Sequence, residues 1–132
     1  MKISQTLLNQ MIGHAEEDAP DECCGLVSGE DGEARIVFRA TNAEASPFRY
    51  SIAPDEQLAL MNKIEDMGEE VVAIYHSHTR TPAYPSQTDI NLATGWPDTV
   101  YLIVSLEHPD EPVVRGFHIR GGSVEDVVLQ TT

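Results

Sequence analysis

The sequence predicts an α/β fold, a mixed β-sheet with flanking helices, and three observations carry that reading. Apolar residues recur at helical spacing in separate stretches, short β-branched runs lie between and after them, and turns bearing glycine, proline or aspartate divide the segments.

Ile3, Leu7, Leu8, Met11 and Ile12 predict a first helix, with Ser4 as its N-cap and Pro20 and Asp21 ending the pattern. CCGLVSG then reads as a short strand, EDGE as a turn and ARIVFRA as the antiparallel partner, a β-hairpin. TNAEASPFRY is a polar loop leading into a short strand near Phe48 to Ile52. PDEQLALMNKIEDMG predicts a second helix with Leu58, Met61 and Ile64 on one face and Gly68 at its C-terminal end. VVAIY is apolar on both faces, as a central strand covered on both sides must be, and His76 and His78 lie just past its end. A short third helix runs from near Ser86 to Gly95, before Trp96 and Pro97. TVYLIVSL, PVVRGFHIR and SVEDVVLQ are three more strands, separated by EHPDE and GG turns.

A chain of 132 residues without repeats or linkers reads as a single domain, 1–132, large enough to bury its own core. No segment approaches the roughly 18 uninterrupted apolar residues of a membrane span. The net charge of −14, from 22 acidic and 8 basic residues, would repel a phosphate backbone, so neither a membrane nor nucleic acid is an expected partner. The opening MKISQTLLNQMIGH has helical periodicity rather than a signal-peptide h-region, which points to the cytoplasm. Cys23 and Cys24, adjacent and alone, form no disulfide framework and read as buried packing in a reducing compartment.

The chemistry concentrates in HSHTRTPAYPSQTD. In extended backbone, His76 and His78 project from one face while Ser77 points away, so the two imidazoles can share an ion. Zinc suits them, and a catalytic zinc site takes three protein ligands and leaves a fourth position for water. Asp89 is the best third ligand, because the loop from Thr79 to Pro85, stiffened by Pro82 and Pro85, can return the chain to the strand end. Ser86 and Asp89 also match a capping box, a reading compatible with the metal site. His14, His108 and His118 read as surface or satisfied histidines.

The spacing His-x-His, seven residues, Ser-x-x-Asp resembles the JAMM motif of the MPN/JAB1 metalloprotease family. TNAEASPFRY, DEQL, YHSHT and AYPSQTDINLAT extend the similarity to a small bacterial branch that includes the actinobacterial Mec enzymes, which hydrolyse cysteine from a sulfur-carrier protein. The resemblance implies the JAB1/MPN fold, a sandwich similar to cytidine deaminases, and one Zn²⁺ with a bound water or hydroxide. It implies His76, His78 and Asp89 as metal ligands. It places the family's upstream glutamate at Glu22, beside Asp21, as general base, and gives Ser86 a hydrogen bond to the oxyanion. The implied substrate is the amide between the C-terminal Gly-Gly of a ubiquitin-like sulfur carrier and cysteine, cleaved in cysteine biosynthesis. This chain has no room for the segments with which deubiquitinating relatives grip ubiquitin chains.

A deaminase would need His-x-Glu and Pro-Cys-x-x-Cys, and this chain has neither. A cupin barrel conflicts with three helical segments. The remaining alternatives are a hydrolase of another carrier-linked or small-molecule amide, and a non-catalytic MPN scaffold. Thr79 and Tyr84 stand nearest the expected substrate groove. Exposed edge strands permit a homodimer.

Overall fold

The computed structural model describes residues 1–96 and 98–132, so Pro97 lies outside the described residues. In chain order the elements are β1 (Lys2–Ile3), α1 (Gln5–Asp18), β2 (Cys24–Glu30), β3 (Glu33–Ala40), α2 (Pro54–Asp66) and β4 (Glu70–His78). They continue with α3 (Gln87–Leu92), a 3-10 turn (Ala93–Gly95), β5 (Val100–Ser105), β6 (Val113–Arg120), β7 (Ser123–Val127) and β8 (Gln130–Thr131). Among the described residues the strands form one sheet in the order β7-β6-β5-β4-β2-β3-β1-β8. It is mixed because β4 runs antiparallel to β2 and parallel to β5. The expected α/β class and hairpin are both present.

Helices cover the two faces of the sheet, and the period-2 alternation of β4 divides its residues between them. Ala73 and Tyr75 enter one core with Leu7, Leu8 and Met11 of α1, whereas Ile74 enters the other with Ile64 of α2, Ala93 and Tyr101. Ser4 caps α1 by accepting a hydrogen bond from the Leu7 N–H at 3.2 Å. Burying Leu7, Leu8 and Met11 stabilises that packing by roughly 2 kcal/mol per side chain. Gly25 allows β2 to pass close to β4, since a Cβ there would run into the Tyr75 ring and the Phe38 carbonyl.

Four expectations need correction. Ile3 belongs to β1 rather than to the helix, because its backbone pairs in parallel with β8. The stretch from Phe48 to Ile52 is not a strand, because its backbone groups bond within the loop: Phe48 N–H donates to Ser46 Oγ, the Ser51 carbonyl accepts from Ala43 N–H, and the Arg49 carbonyl and Ser51 N–H bond to the Asn42 side chain. Nδ2 donates to the carbonyls of Glu22 and Arg49 at 3.0 Å each, and Oδ1 accepts from the N–H groups of Glu44 at 3.0 Å and Ser51 at 3.2 Å. Leu58 and Met61 face solvent at 60% and 37% exposure, and α2 docks instead through Ile64 and the partly buried Leu60. The two histidines lie inside β4, not past it. Where their apolar run ends, Ser77 N–H still donates to the Cys23 carbonyl and the register with β5 continues to Ser105.

α2 ends as expected at Gly68, whose φ of +76° terminates the helix in the left-handed region. The third helix is shorter than expected and hands over to the 3-10 turn at Ala93.

Candidate functional site

Because His76 and His78 share a face of β4, their rings meet α3 on the side of the sheet opposite α1. His76 Nε2 and His78 Nε2 are 3.2 Å apart, and Asp89 Oδ2 lies 3.1 Å from the first and 3.0 Å from the second. Ser77 points to the other face, where its hydroxyl accepts from the Cys23 N–H at 2.8 Å. All three converging residues are buried.

This triangle fits a zinc ion. Three ligand atoms about 2.0 to 2.2 Å from a tetrahedral ion stand roughly 3.3 to 3.6 Å from one another, close to the observed spacing. The proton inventory agrees. The Pro82 carbonyl, 2.9 Å from His78 Nδ1, fixes the proton of the neutral ring on that nitrogen and leaves Nε2 as a lone pair facing two other acceptor-capable atoms. A cation at the centre satisfies all three. Two imidazoles and a carboxylate are borderline ligands of the kind zinc accepts.

The electrostatics follow from burial and from these contacts. Burial lowers the His76 pKa, opposed by Asp89, which favours the neutral imidazole a metal needs. His76 stacks on Tyr50 with ring centroids 4.5 Å apart, and its Nδ1 has no hydrogen-bond partner among the described residues. For His78 in the metal-free protein, burial opposes the charge, but the hydrogen bonds that the protonated ring donates to Asp89 and the Pro82 carbonyl outweigh it and raise the pKa. Burial would likewise raise Asp89, yet its contacts with His76, His78 and the Ser86 N–H hold it well below the usual carboxylate range.

Glu22 sits just before β2. Its N–H donates to the Ser46 carbonyl at 2.9 Å, and its own carbonyl is held by Asn42. The side chain is only 4% exposed and Oε1 has no hydrogen-bond partner among the described residues. Burial raises its pKa to about 7, with His78 opposing and Asp89 adding to the rise. Glu22, His78 and Ser86 line a common cleft of about 400 Å³.

Ser86 is the N-cap of α3. Its Oγ accepts from the Asp89 N–H at 3.1 Å, and its own N–H donates to Asp89 Oδ2 at 2.9 Å, a complete capping box. Only a lone pair of the hydroxyl is committed, so its proton remains available to an acceptor in the cleft.

Thr79 lines the cleft, whereas Tyr84 does not and packs edge-on against Phe117 with centroids 5.5 Å apart. His14 is buried and satisfied, 2.7 Å from the Tyr75 hydroxyl and 3.2 Å from Asp18. His108 is exposed. His118 lines a separate cleft with Val72 and Val100, its Nδ1 without a partner among the described residues. Cys23 and Cys24 are buried and free, and burial pushes each thiol up to about 12, as inert packing requires. Asn42 and Tyr50, which shape the site, were missed by sequence reasoning. Nothing local separates Asn42 from an ordinary loop residue, and the stacking of Tyr50 on His76 depends on tertiary contact.

Known proteins resemble this chain along most of its length. Residues 4–118 match the family described as prokaryotic homologues of the JAB domain. The chain is 44% identical over 126 residues to the CysO-cysteine peptidase of Mycobacterium tuberculosis, covering 94% of this chain and 86% of that protein. It is 38% identical over 105 residues to the desampylase of Haloferax volcanii, covering 74% of each. The solution structure of a protein from Desulfitobacterium hafniense superposes with a TM-score of 0.90 at 32% identity, covering 99% of this chain and 92% of that one. The chain belongs to the prokaryotic JAB-domain family and is a hydrolase of its metallopeptidase type.

Proposed function

We propose that this protein hydrolyses the amide that joins cysteine to the C-terminal Gly-Gly of a ubiquitin-like sulfur-carrier protein, releasing cysteine. The observation that carries this is the convergence of His76, His78 and Asp89, with His78 lining a cleft that also holds the buried Glu22, whose Oε1 has no hydrogen-bond partner among the described residues. The similarity to a CysO-cysteine peptidase supports the substrate. Residues 1–132 act as one domain that carries the candidate metal ligands, base and oxyanion donor, and its exposed edge strands permit a homodimer. The two buried, free thiols fit a cytoplasmic setting.

His76, His78 and Asp89 would hold the ion. A zinc ion held by these residues would supply a water of lowered pKa, near 7, and a Lewis acid for the scissile carbonyl. Glu22, whose carboxyl burial holds above the usual carboxylate range in the metal-free protein, is placed to serve both halves of the proton transfer, accepting a proton from the attacking water and returning it to the departing amine. Ser86 donates its uncommitted hydroxyl proton to the oxyanion that develops on the scissile carbonyl. The extended Gly-Gly tail enters the cleft, which Thr79 borders.

The test is intact-mass analysis of a carrier ending in Gly-Gly-Cys, incubated with the zinc-loaded protein and with its Glu22→Ala variant. Loss of one cysteine residue with the unaltered protein alone is the expected result. An unchanged mass with zinc bound would reject this substrate and turn the search to other carrier conjugates, which the resemblance to a desampylase favours.

A further inference from the structure

Arg80 is anomalous in this molecule. The other five arginines each lie within 4.0 Å of a carboxylate, Arg35 at Glu30 and Glu69, Arg39 at Glu17, Arg49 at Glu44, Arg115 at Asp126 and Arg120 at Asp98 and Glu125. Arg80 has no hydrogen bond or ion pair among the described residues, in a chain with 22 acidic residues and only 8 basic ones. It lines the same cleft as Glu22, His78 and Ser86.

Its backbone is held on the C-terminal side. The Thr81 carbonyl accepts from Ser105 Oγ at 2.6 Å, and the Pro82 carbonyl is 2.9 Å from His78 Nδ1. On the N-terminal side, His78 is fixed in β4. The guanidinium therefore projects from an anchored loop with its donors unspent. An arginine with no ion pair among the described residues, lining the same cleft as Glu22 in a protein of net charge −14, is suited to an anion that arrives with the substrate.

Resting on the proposed substrate, we infer that Arg80 binds the free α-carboxylate of the departing cysteine. In a carrier ending in Gly-Gly-Cys, that carboxylate is separated from the scissile nitrogen by a single carbon, so it must lie beside the residue that reprotonates the amine. A planar guanidinium grips it with two parallel hydrogen bonds and offsets its repulsion from Glu22 and Asp89. Pro20 and Phe48 on the same cleft supply apolar surface for the cysteine side chain. An isopeptide formed by a lysine side chain has no carboxylate at this position. Arg80 thus selects a single attached amino acid over a lysine-linked protein and is a specificity residue.

The experiment compares carriers ending in Gly-Gly-Cys as the free acid and as the C-terminal amide, with unaltered protein, Arg80→Ala and Arg80→Lys. Cleavage is followed with zinc, and binding by calorimetry on chelator-treated, metal-free protein. The expected result is a preference of roughly tenfold to hundredfold for the acid, carried mainly by KM and seen again in metal-free binding. Arg80→Ala should abolish that preference by weakening the acid alone, and Arg80→Lys should restore part of it. Equal losses on acid and amide, or no loss on either, would overturn the assignment while leaving the proposed reaction standing. Tighter binding of the acid through Arg80 without cleavage of either carrier would uphold the carboxylate contact and reject the reaction. Absence of both binding preference and cleavage would reject both.

Discussion

Ser86 and Asp89 are joined twice, hydroxyl to N–H at 3.1 Å and N–H to carboxylate at 2.9 Å, and the carboxylate oxygen that closes this capping box is the one that faces both histidines. The helix start and the candidate metal ligand are one device. The cap fixes the Asp89 rotamer, and the histidines complete the contacts of its oxygen.

Ser86→Ala should therefore act on two readouts. Loss of the cap should lower stability by about 1 kcal/mol, measured by urea unfolding. Loss of the oxyanion donor should lower kcat by roughly a hundredfold to a thousandfold. A variant with normal kcat would remove Ser86 from the chemistry and leave it a cap.

Asp89→Ala and Glu22→Ala should separate ligand from base. Metal analysis after dialysis should find zinc lost from the first and retained at one ion per chain by the second, with hydrolysis abolished in both. Zinc retained by Asp89→Ala would sink the ligand assignment.

Glu22 also sets a pH dependence in metal-free protein. Its pKa rises from 4.5 to about 7 on folding, so between those values the folded chain holds the proton more tightly than the unfolded chain. Stability from this group is greatest below pH 4.5 and falls as pH rises through the window, by on the order of 3 kcal/mol once pH exceeds 7. Glu22→Gln should be more stable than the unaltered protein at pH 8 and nearly equal to it at pH 4.5, by denaturant titration with chelator present. A stabilisation of equal size at both pH values would contradict a buried, titrating carboxylate.

Asn42→Ala should loosen the loop that carries Ser46 and Ser51 and holds Glu22. Four backbone groups lose their partner together, of which only the Glu22 carbonyl is partly buried, so a cost of about 1 to 2 kcal/mol is expected. Faster amide hydrogen exchange at Glu22 and Ser51 would locate the effect. Unchanged exchange there would show that the loop is held by other contacts.

Much of the site was legible because its rules are local. A period of two puts His76 and His78 on one face of β4, and a Ser-x-x-Asp spacing starts a helix, whatever surrounds them. The helix of Leu7, Leu8 and Met11 and the hairpin that turns at EDGE were readable for the same reason. The α2 face was misread, because helical spacing alone does not say which apolar stripe meets the sheet, and Ile64 and Leu60 dock while Leu58 and Met61 do not. The two-residue β1 and β8 carry too few residues for any periodic signal and exist only by pairing. Phe48 to Ile52 has strand-like composition, but its backbone bonds within the loop, in part to the Asn42 side chain, rather than to a neighbouring strand.

By itself, then, the amino-acid sequence determined the fold class, the order of most elements and the identity of the candidate metal-binding motif, since each rests on propensity or spacing along a few residues. Tertiary structure alone decided that three candidate ligand atoms meet within 3.2 Å, that Glu22 is buried beside them, and that Arg80 finds no carboxylate among the described residues. Those properties depend on distance, desolvation and charge pairing between segments far apart in the chain, and none of these is encoded in the spacing of neighbouring residues.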